Sequence, residues 1–315
     1  YPPSGTLLMA PVAVIDYERA RWAFIAASVI ALLICAYLLT RMFGFAVNSW
    51  VMPTVLFFFF STETVSHTLI FTNFNAFVLL GMLAFMMLMI RRHDLWAGVP
   101  LGLTLAVKPV LAPLLLLALL NRQWKVLITA IAIPAALNVV GLALVPAPSH
   151  FLTLTVPQLL EGRDEWNNSL LDMGDHFGLP GWAVAASRLL VLVLMGVAVW
   201  RLRLVEDPVL RSATSYGVLL LGTFLASSLS QAYYSLLLVP VLLTVVRHRS
   251  ALRTPIAWVA VYLFAAQDSW TLPRNPGWME QFGHGRWTAG WVILFAVLVA
   301  WALFGVPRTR RAAEE

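Results

Sequence analysis

A lysine standing between two apolar runs is the residue in this sequence with the clearest chemical meaning. Runs from Leu95 to Val107 and from Pro109 to Leu120 flank Lys108, each too short to cross a bilayer alone. An ammonium held there suits a phosphate or pyrophosphate head as a compact point charge, or else it snorkels to the interface without a ligand. Glu63 follows Phe57 to Phe60 and precedes a polar stretch with His67, Asn73 and Asn75. That placement fits a carboxylate at the mouth of a cavity, and it equally fits a hydrogen bond tying two helix ends. Arg163, Asp164, Asn167 and Ser169 offer guanidinium, carboxylate, amide and hydroxyl groups suited to phosphate or sugar hydroxyls. Most of that loop's charge reads as a solvated face, and Asn167-Asn168-Ser169 also matches a glycosylation sequon. Gln231, Tyr233 and Tyr234 interrupt an apolar hairpin with hydrogen-bonding and stacking groups, although an interfacial aromatic belt explains the tyrosines as well. Tyr1, followed by Pro2 and Pro3, and Asp268, near Trp270, complete the polar clusters.

Other chemistries find little support. The six histidines show no metal-ligand spacing, and HExxH, GxGxxG and P-loop patterns do not occur, so no metal and no soluble-type nucleotide chemistry is expected. Cys35 is the single cysteine and lies inside an apolar run, which rules out a disulfide framework. Arg188, in the middle of an apolar run, reads as a structural pairing partner.

The elements that must position these groups are membrane helices. The chain has 315 residues, 60% hydrophobic and 11% charged, with mean hydropathy +0.82, a balance that excludes a soluble globular domain and intrinsic disorder. Nine apolar runs read as spans: Trp22 to Leu39, Phe45 to Phe60, Ala76 to Ile90, Trp124 to Val145, Trp182 to Trp200, Ser212 to Leu229, Tyr233 to Val246, Pro255 to Ala266 and Gly290 to Val306. Residues 95–120 read as a short helix pair meeting at membrane depth, because irregular backbone is tolerated there only where it lines a cavity or is buried in protein. The expected fold is therefore all-α, a polytopic transmembrane helix bundle formed by residues 1–315 as one domain.

The net charge of +6 comes from basic residues in short turns, which speaks for membrane orientation and against nucleic acid. The turns carrying Arg41, Arg91 and Arg92, Arg122 and Lys125, Arg201 to Arg211, Arg247 to Arg253 and Arg308 to Arg311 all fall on one side if spans alternate. The positive-inside rule places that side, and the C-terminus, in the cytoplasm of a cell-membrane protein. The polar candidates then project to the opposite face with the long loop 146–181. The chain opens Tyr1-Pro2-Pro3 without a visible signal peptide, and the expectation is a processed start or a fragment.

At these residues the sequence resembles the GT-C glycosyltransferases that use polyprenyl-phosphate sugars, specifically glycosyltransferase family 87. The matching stretches are Tyr1-Pro2-Pro3 with Gly5 to Leu8, Thr62-Glu63-Thr64 through Asn73, Leu103 to Pro109 and Asn167-Asn168-Ser169. Within the family, Gly5 to Pro11, Glu63 to Asn73, Asn121 to Trp124 and Ser230 to Ser235 look most like the actinobacterial branch that transfers α-(1→3)-arabinofuranosyl units from decaprenyl-phosphoarabinose to cell-wall arabinan. The resemblance implies an enzyme acting outside the cytoplasm on a lipid-linked donor and a glycan acceptor, inverting a β-linked donor to an α product. It implies Lys108, Arg163 and Gln231 at the donor phosphate. Asn73, Asn75, Asn167, Ser169, Tyr233, Tyr234, Tyr1 and Asp268 would serve the sugar or acceptor, with no cofactor and no divalent metal demanded. The family's catalytic aspartate is expected upstream of Tyr1, which leaves Glu63 and Asp164 as the bases within this chain. Mannose-using relatives often carry a histidine where Gln231 stands, which weakens a mannosyltransferase reading. A transporter or flippase for a polyprenyl-linked sugar would be expected to show internal pseudosymmetry, and none is visible.

Overall fold

The computed structural model describes residues 2–145, 147–160, 167–267 and 277–306, which form helices and turns with no strand among them. In chain order the α-helices are α1 (Pro3–Met9), α2 (Tyr17–Met42), α3 (Val51–Ser61), α4 (Glu63–Ile70), α5 (Asn75–Ile90), α6 (Asp94–Val107), α7 (Leu115–Leu120), α8 (Trp124–Leu144), α9 (Val156–Leu160), α10 (Leu170–His176), α11 (Gly181–Leu202), α12 (Pro208–Ala226), α13 (Val239–Leu242), α14 (Pro255–Ala265) and α15 (Gly277–Ala300). Tight 3₁₀ segments at Pro109–Leu114, Ala232–Leu238 and Leu243–Val246 link several of them.

The apolar runs fall on helices of unequal length. Among the described residues, α2, α8, α11, α12 and the segment Gln281–Gly305 are long and apolar enough to cross a bilayer, and the bent pair α4–α5 makes a sixth candidate. The runs at 45–60, 233–246 and 255–266, expected as full spans, fall on helices of 10–17 residues. A short helix survives at that depth when neighbours, rather than lipid, surround its ends. Residues Leu236 to Leu242, for example, are buried in the core.

One end of the bundle collects the basic turns. Gln123 donates to the Asp94 carboxylate at 2.8 Å and to the Met89 carbonyl at 3.1 Å, and Arg92 donates to the Asn121 carbonyl at 3.3 Å. Arg247 pairs with Asp207 at 3.5 Å and reaches the Phe43 carbonyl at 3.3 Å. A cleft lined by Arg92, Asn121, Gln123 and Arg211 joins the two groups. The chain therefore leaves this end at Asp94, breaks at Lys108 and returns to Asn121. The 14 residues of α6 rise about 20 Å, short of the roughly 30 Å hydrocarbon core, so the break lies at membrane depth. Pro109 explains its position: it disfavours the α conformation in the residue before it, and Lys108 sits at φ −130°, ψ 81°.

Close backbone packing holds the break in place. α6 lies against α5 on one side and α8 on the other, while α12 runs almost wholly buried through the centre. The approach of α6 to α8 depends on Gly98, where an added Cβ would meet the Thr129 Cβ at 2.6 Å and the Val126 carbonyl at 2.8 Å. Small residues permit such approaches between membrane helices. α4 and α5 meet at a 117° bend, with Thr72 at positive φ and the Asn73 side chain accepting from the Asn75 amide at 2.9 Å. That bend brings Asn75, at the start of α5, to the level of Lys108.

Gly98→Val should separate α6 from α8 and lower stability by about 1–3 kcal/mol. Thermal unfolding in detergent reads this as a lowered midpoint, and an unchanged midpoint would show that the interface tolerates the added volume.

Candidate active site

Lys108 is buried at the tip of the re-entrant pair. Its ammonium donates to the Asn75 side-chain oxygen at 2.5 Å and lies 3.9 Å from the Tyr234 ring centroid and 5.8 Å from that of Tyr233. Asn75 spends its other half on the segment carrying those tyrosines, donating to the Tyr233 carbonyl at 2.9 Å. An amide and two aromatic faces attract a cation without neutralising it. Among the described residues no carboxylate pairs with this ammonium. It borders a mostly apolar cavity of about 560 Å³ whose walls include Pro2, Pro109, Phe151, Ser228, Gln231 and Tyr234. α1 closes one side of this region: Ser4 donates to the Ala106 carbonyl at 2.6 Å, two residues before Lys108, and its amide donates to Asn138 at 3.1 Å.

Gln231 and Tyr233 also line a second, smaller cavity of about 210 Å³, whose other walls include His67, Asn168, His284 and Trp287. The strap 167–169 positions it. Asn167 donates to the Ser228 carbonyl at 2.9 Å and accepts from the amides of Ser230 at 2.9 Å and Ser169 at 3.2 Å. Asn168 donates from its amide to the Ser230 carbonyl at 2.6 Å. Ser169 then caps α10, accepting from the Asp172 amide at 3.3 Å. Asn167, Ser169 and Asn75 are thus buried and committed within the protein, Asn167 and Ser169 to backbone groups and Asn75 to the Lys108 ammonium and the Tyr233 carbonyl.

Glu63 stands behind the second cavity. One of its oxygens receives Arg286 Nη2 at 2.6 Å and the other lies 3.4 Å from His67 Nε2. Both members of the Arg286 pair are buried, and Arg286 also donates to the Ala266 carbonyl at 3.0 Å. The carboxylate ties α4 to α15, and the cavity is reached by its partner His67. Across from it, His284 Nε2 lies 3.1 Å from the buried Asp172 carboxylate and stacks on His176 at 4.0 Å. Among the described residues no cluster of three or more His, Cys, Asp or Glu side chains is arranged for a metal ion. Tyr1, Arg163, Asp164 and Asp268 lie outside the described residues.

Sequence comparison bears on this pair of cavities. The family model of glycosyltransferase family 87 matches residues 1–228, most of the chain. The chain belongs to glycosyltransferase family 87. It is a glycosyltransferase, and with the family goes the all-α, polytopic membrane architecture of the GT-C type seen here. It is 42% identical over 303 residues to an α-(1→3)-arabinofuranosyltransferase of Mycobacterium tuberculosis (strain ATCC 25618 / H37Rv), an alignment covering 94% of this chain and 70% of that protein. Proteins of the same description from Mycolicibacterium smegmatis (41%; 95% of this chain, 71% of the relative) and Corynebacterium glutamicum (38%; 96% and 73%) are similar over the same extent. No solved structure matches the chain.

In this family 87 glycosyltransferase the structure brings together Lys108, Asn75, Gln231, Tyr233 and Tyr234, and it adds one face of α15 that the sequence reading passed over. His284, Trp287, Thr288 and Trp291 recur at helical spacing. His284 meets Asp172, Trp287 lines the smaller cavity, Thr288 donates to the Asn168 carbonyl at 2.8 Å, and Trp291 donates to Ser235 at 2.8 Å. That i, i+3, i+4, i+7 pattern of hydrogen-bonding groups was the available signal.

Arg286→Leu strands the buried Glu63 carboxylate and should cost about 3–5 kcal/mol, seen as a large drop in the unfolding midpoint. The Glu63→Leu/Arg286→Leu double variant should recover much of that loss; equal instability of both would deny the pair its role.

Proposed function

We propose that this glycosyltransferase moves an arabinofuranosyl unit from a polyprenyl-phosphate arabinose, decaprenyl-phosphoarabinose by the family resemblance, to a hydroxyl of cell-wall arabinan, forming an α-(1→3) branch. The observation that carries the reading is the buried Lys108 ammonium, held only by neutral and aromatic groups among the described residues, on the wall of a largely apolar cavity. A buried cation without a counter-charge is costly. A phosphate monoester joined to a lipid chain supplies both what the ammonium lacks and what the apolar wall accepts. The description shared by the curated relatives supports the sugar and the linkage.

In this reading Lys108 stabilises the charge that builds on the leaving phosphate as the glycosidic bond breaks. Asn75 and Tyr234 fix the ammonium so that little reorganisation accompanies the transition state. Gln231, on the shared wall, hydrogen-bonds the transferring sugar or its phosphate, and the polyprenyl tail follows the apolar lining toward lipid. A β-linked donor giving an α product requires inversion, in keeping with a single displacement between the two cavities. In this reading the reaction face is extracytoplasmic and the basic turns cytoplasmic, because short cytoplasmic loops collect arginine. The membrane concerned is the plasma membrane.

Lys108→Gln keeps a donor for Asn75 while removing the charge. Release of decaprenyl phosphate from decaprenyl-phosphoarabinose, with an arabinan oligosaccharide as acceptor, should fall about 100-fold or more with an unchanged unfolding midpoint. Wild-type turnover in this variant would remove Lys108 from the phosphate site. Donor crossing vesicle membranes without turnover by the wild-type protein would replace the transferase reading with a transporter.

A further inference from the structure

The end of the bundle that gathers the basic turns holds a cavity of its own, apart from the two described above. About 140 Å³ in volume, it lies between the last turns of α7 and α11 and the first turns of α12, on which both of those helices pack. Arg203, Arg211, Ser212 and Ser215 give it a polar lining, and Leu117, Leu120 and Val199 an apolar one. Arg211 and Ser212 are shared with the adjoining cleft that contains Arg92. Trp96, Trp124 and Trp200 are exposed in the first or last turns of α6, α8 and α11 at this same end. Exposed tryptophans at helix ends mark the headgroup level of a bilayer. The cavity therefore lies at the depth of lipid phosphates.

Its cations lack counter-charges. Among the described residues none of Arg92, Arg203 and Arg211 pairs with a carboxylate. The Arg211 Nη1 group donates to the Val205 carbonyl at 3.3 Å, while its Nε–H is buried without an acceptor. Arg203 rests its guanidinium 3.3 Å from the Trp200 ring centroid, a contact that holds a cation without neutralising it. The carboxylates at this end are engaged elsewhere or open to water. Asp207 accepts from the amides of Val209 and Leu210 and pairs with Arg247, Asp94 accepts from Gln123, and Glu206 is exposed. Ser212 and Ser215 are buried on the cavity wall, and neither hydroxyl is hydrogen-bonded among the described residues.

We propose that this cavity seats the phosphate of an anionic phospholipid from the leaflet at the basic end of the bundle. Two guanidinium groups and two serine hydroxyls are the unspent donors, and charge-assisted bonds from arginine to phosphate are the strong ones. Basic pockets between membrane helices recognise headgroups in this way. The apolar lining commits the occupant to a lipid, because a free phosphate would leave Leu117, Leu120 and Val199 uncovered, whereas an acyl chain runs along them. A zwitterionic headgroup fits less well, since its ammonium would be brought against Arg92 and Arg203. The site shares no residue with the Lys108 chamber, so it stands independently of the donor reading. It also has a mechanical consequence. α7 is the returning arm of the re-entrant pair, and a lipid seated between α7, α11 and α12 ties that arm to the centre of the bundle.

The test titrates phosphatidylglycerol into the full chain in a neutral detergent and counts retained lipid by native mass spectrometry. Phosphatidylglycerol should bind about fivefold or more tightly than phosphatidylcholine. Arg203→Gln should weaken that binding about fivefold and the Arg203→Gln/Arg211→Gln double variant about 25-fold. Arg203 is exposed, so its single variant folds and decides the question even where loss of the Arg211 bond to Val205 destabilises the double variant. Lys108→Gln should bind phosphatidylglycerol as the wild type does. Equal affinity for the two lipids, or wild-type affinity in Arg203→Gln, would overturn the proposal. Loss of binding in Lys108→Gln would do the same by moving the lipid to the apolar chamber. Inorganic phosphate should displace the lipid only at concentrations far above those at which the lipid binds, and displacement at equal concentration would make this a site for a soluble anion instead. The readout does not involve turnover, so a failed donor reading and a failed lipid site give different results.

Discussion

An ammonium buried at the tip of a re-entrant helix pair is the constraint around which this protein is arranged. A lone cation at membrane depth is expensive, and the chain meets that cost with three separated segments. Asn75 at the head of α5 supplies an oxygen, Tyr234 supplies a ring face, and Pro109 forces the break that points Lys108 inward. None of these neutralises the charge. Among the described residues no carboxylate neutralises it, and the lipid-linked phosphate proposed as its partner would suit both the charge and the apolar walls.

The second organising feature is the way α15 is fastened. Arg286 to Glu63, Thr288 to the Asn168 carbonyl and Trp291 to Ser235 fix one face of the helix to three parts of the chain. With that face immobilised, His284 and Trp287 reach the smaller cavity on a rigid element. The strap 167–169 closes the arrangement by spending its polar groups on backbone atoms of residues 228–230. Gln231 and Tyr233 line both chambers, the largely apolar one beside Lys108 and the smaller one beside α15.

Short helices make this geometry possible. Full spans such as α2 and α11 face the surroundings with many exposed apolar residues, whereas α6 and α7 stop part-way and α13 is buried by its neighbours. Each shortened helix leaves room for irregular backbone, and Lys108, Gln231, Tyr233 and Tyr234 sit at such breaks. Close approaches at glycines, as between α6 and α8, compensate by packing the remaining helices tightly.

Composition and periodicity alone fixed the all-α membrane class, the apolar runs, the clustering of basic turns and the singular placement of Lys108, because each depends on local hydrophobicity or charge that no tertiary contact can reverse. The partners of Lys108 were named in the sequence as candidate ligands for sugar, yet Asn75 serves the lysine itself. Glu63 showed itself as a polar outlier, but whether its carboxylate was open or paired depended on Arg286, which is 223 residues away in the chain. Asn167 and Ser169 looked like sugar ligands by type, and folding turned them to backbone carbonyls and amides. The face of α15 went unread because its histidine and tryptophans acquire meaning only when α10 and the strap are set against it. Local sequence decides what a segment can be in a membrane; which polar atoms are left over for a ligand is decided by hydrogen bonds between segments far apart, and only the tertiary structure assigns those.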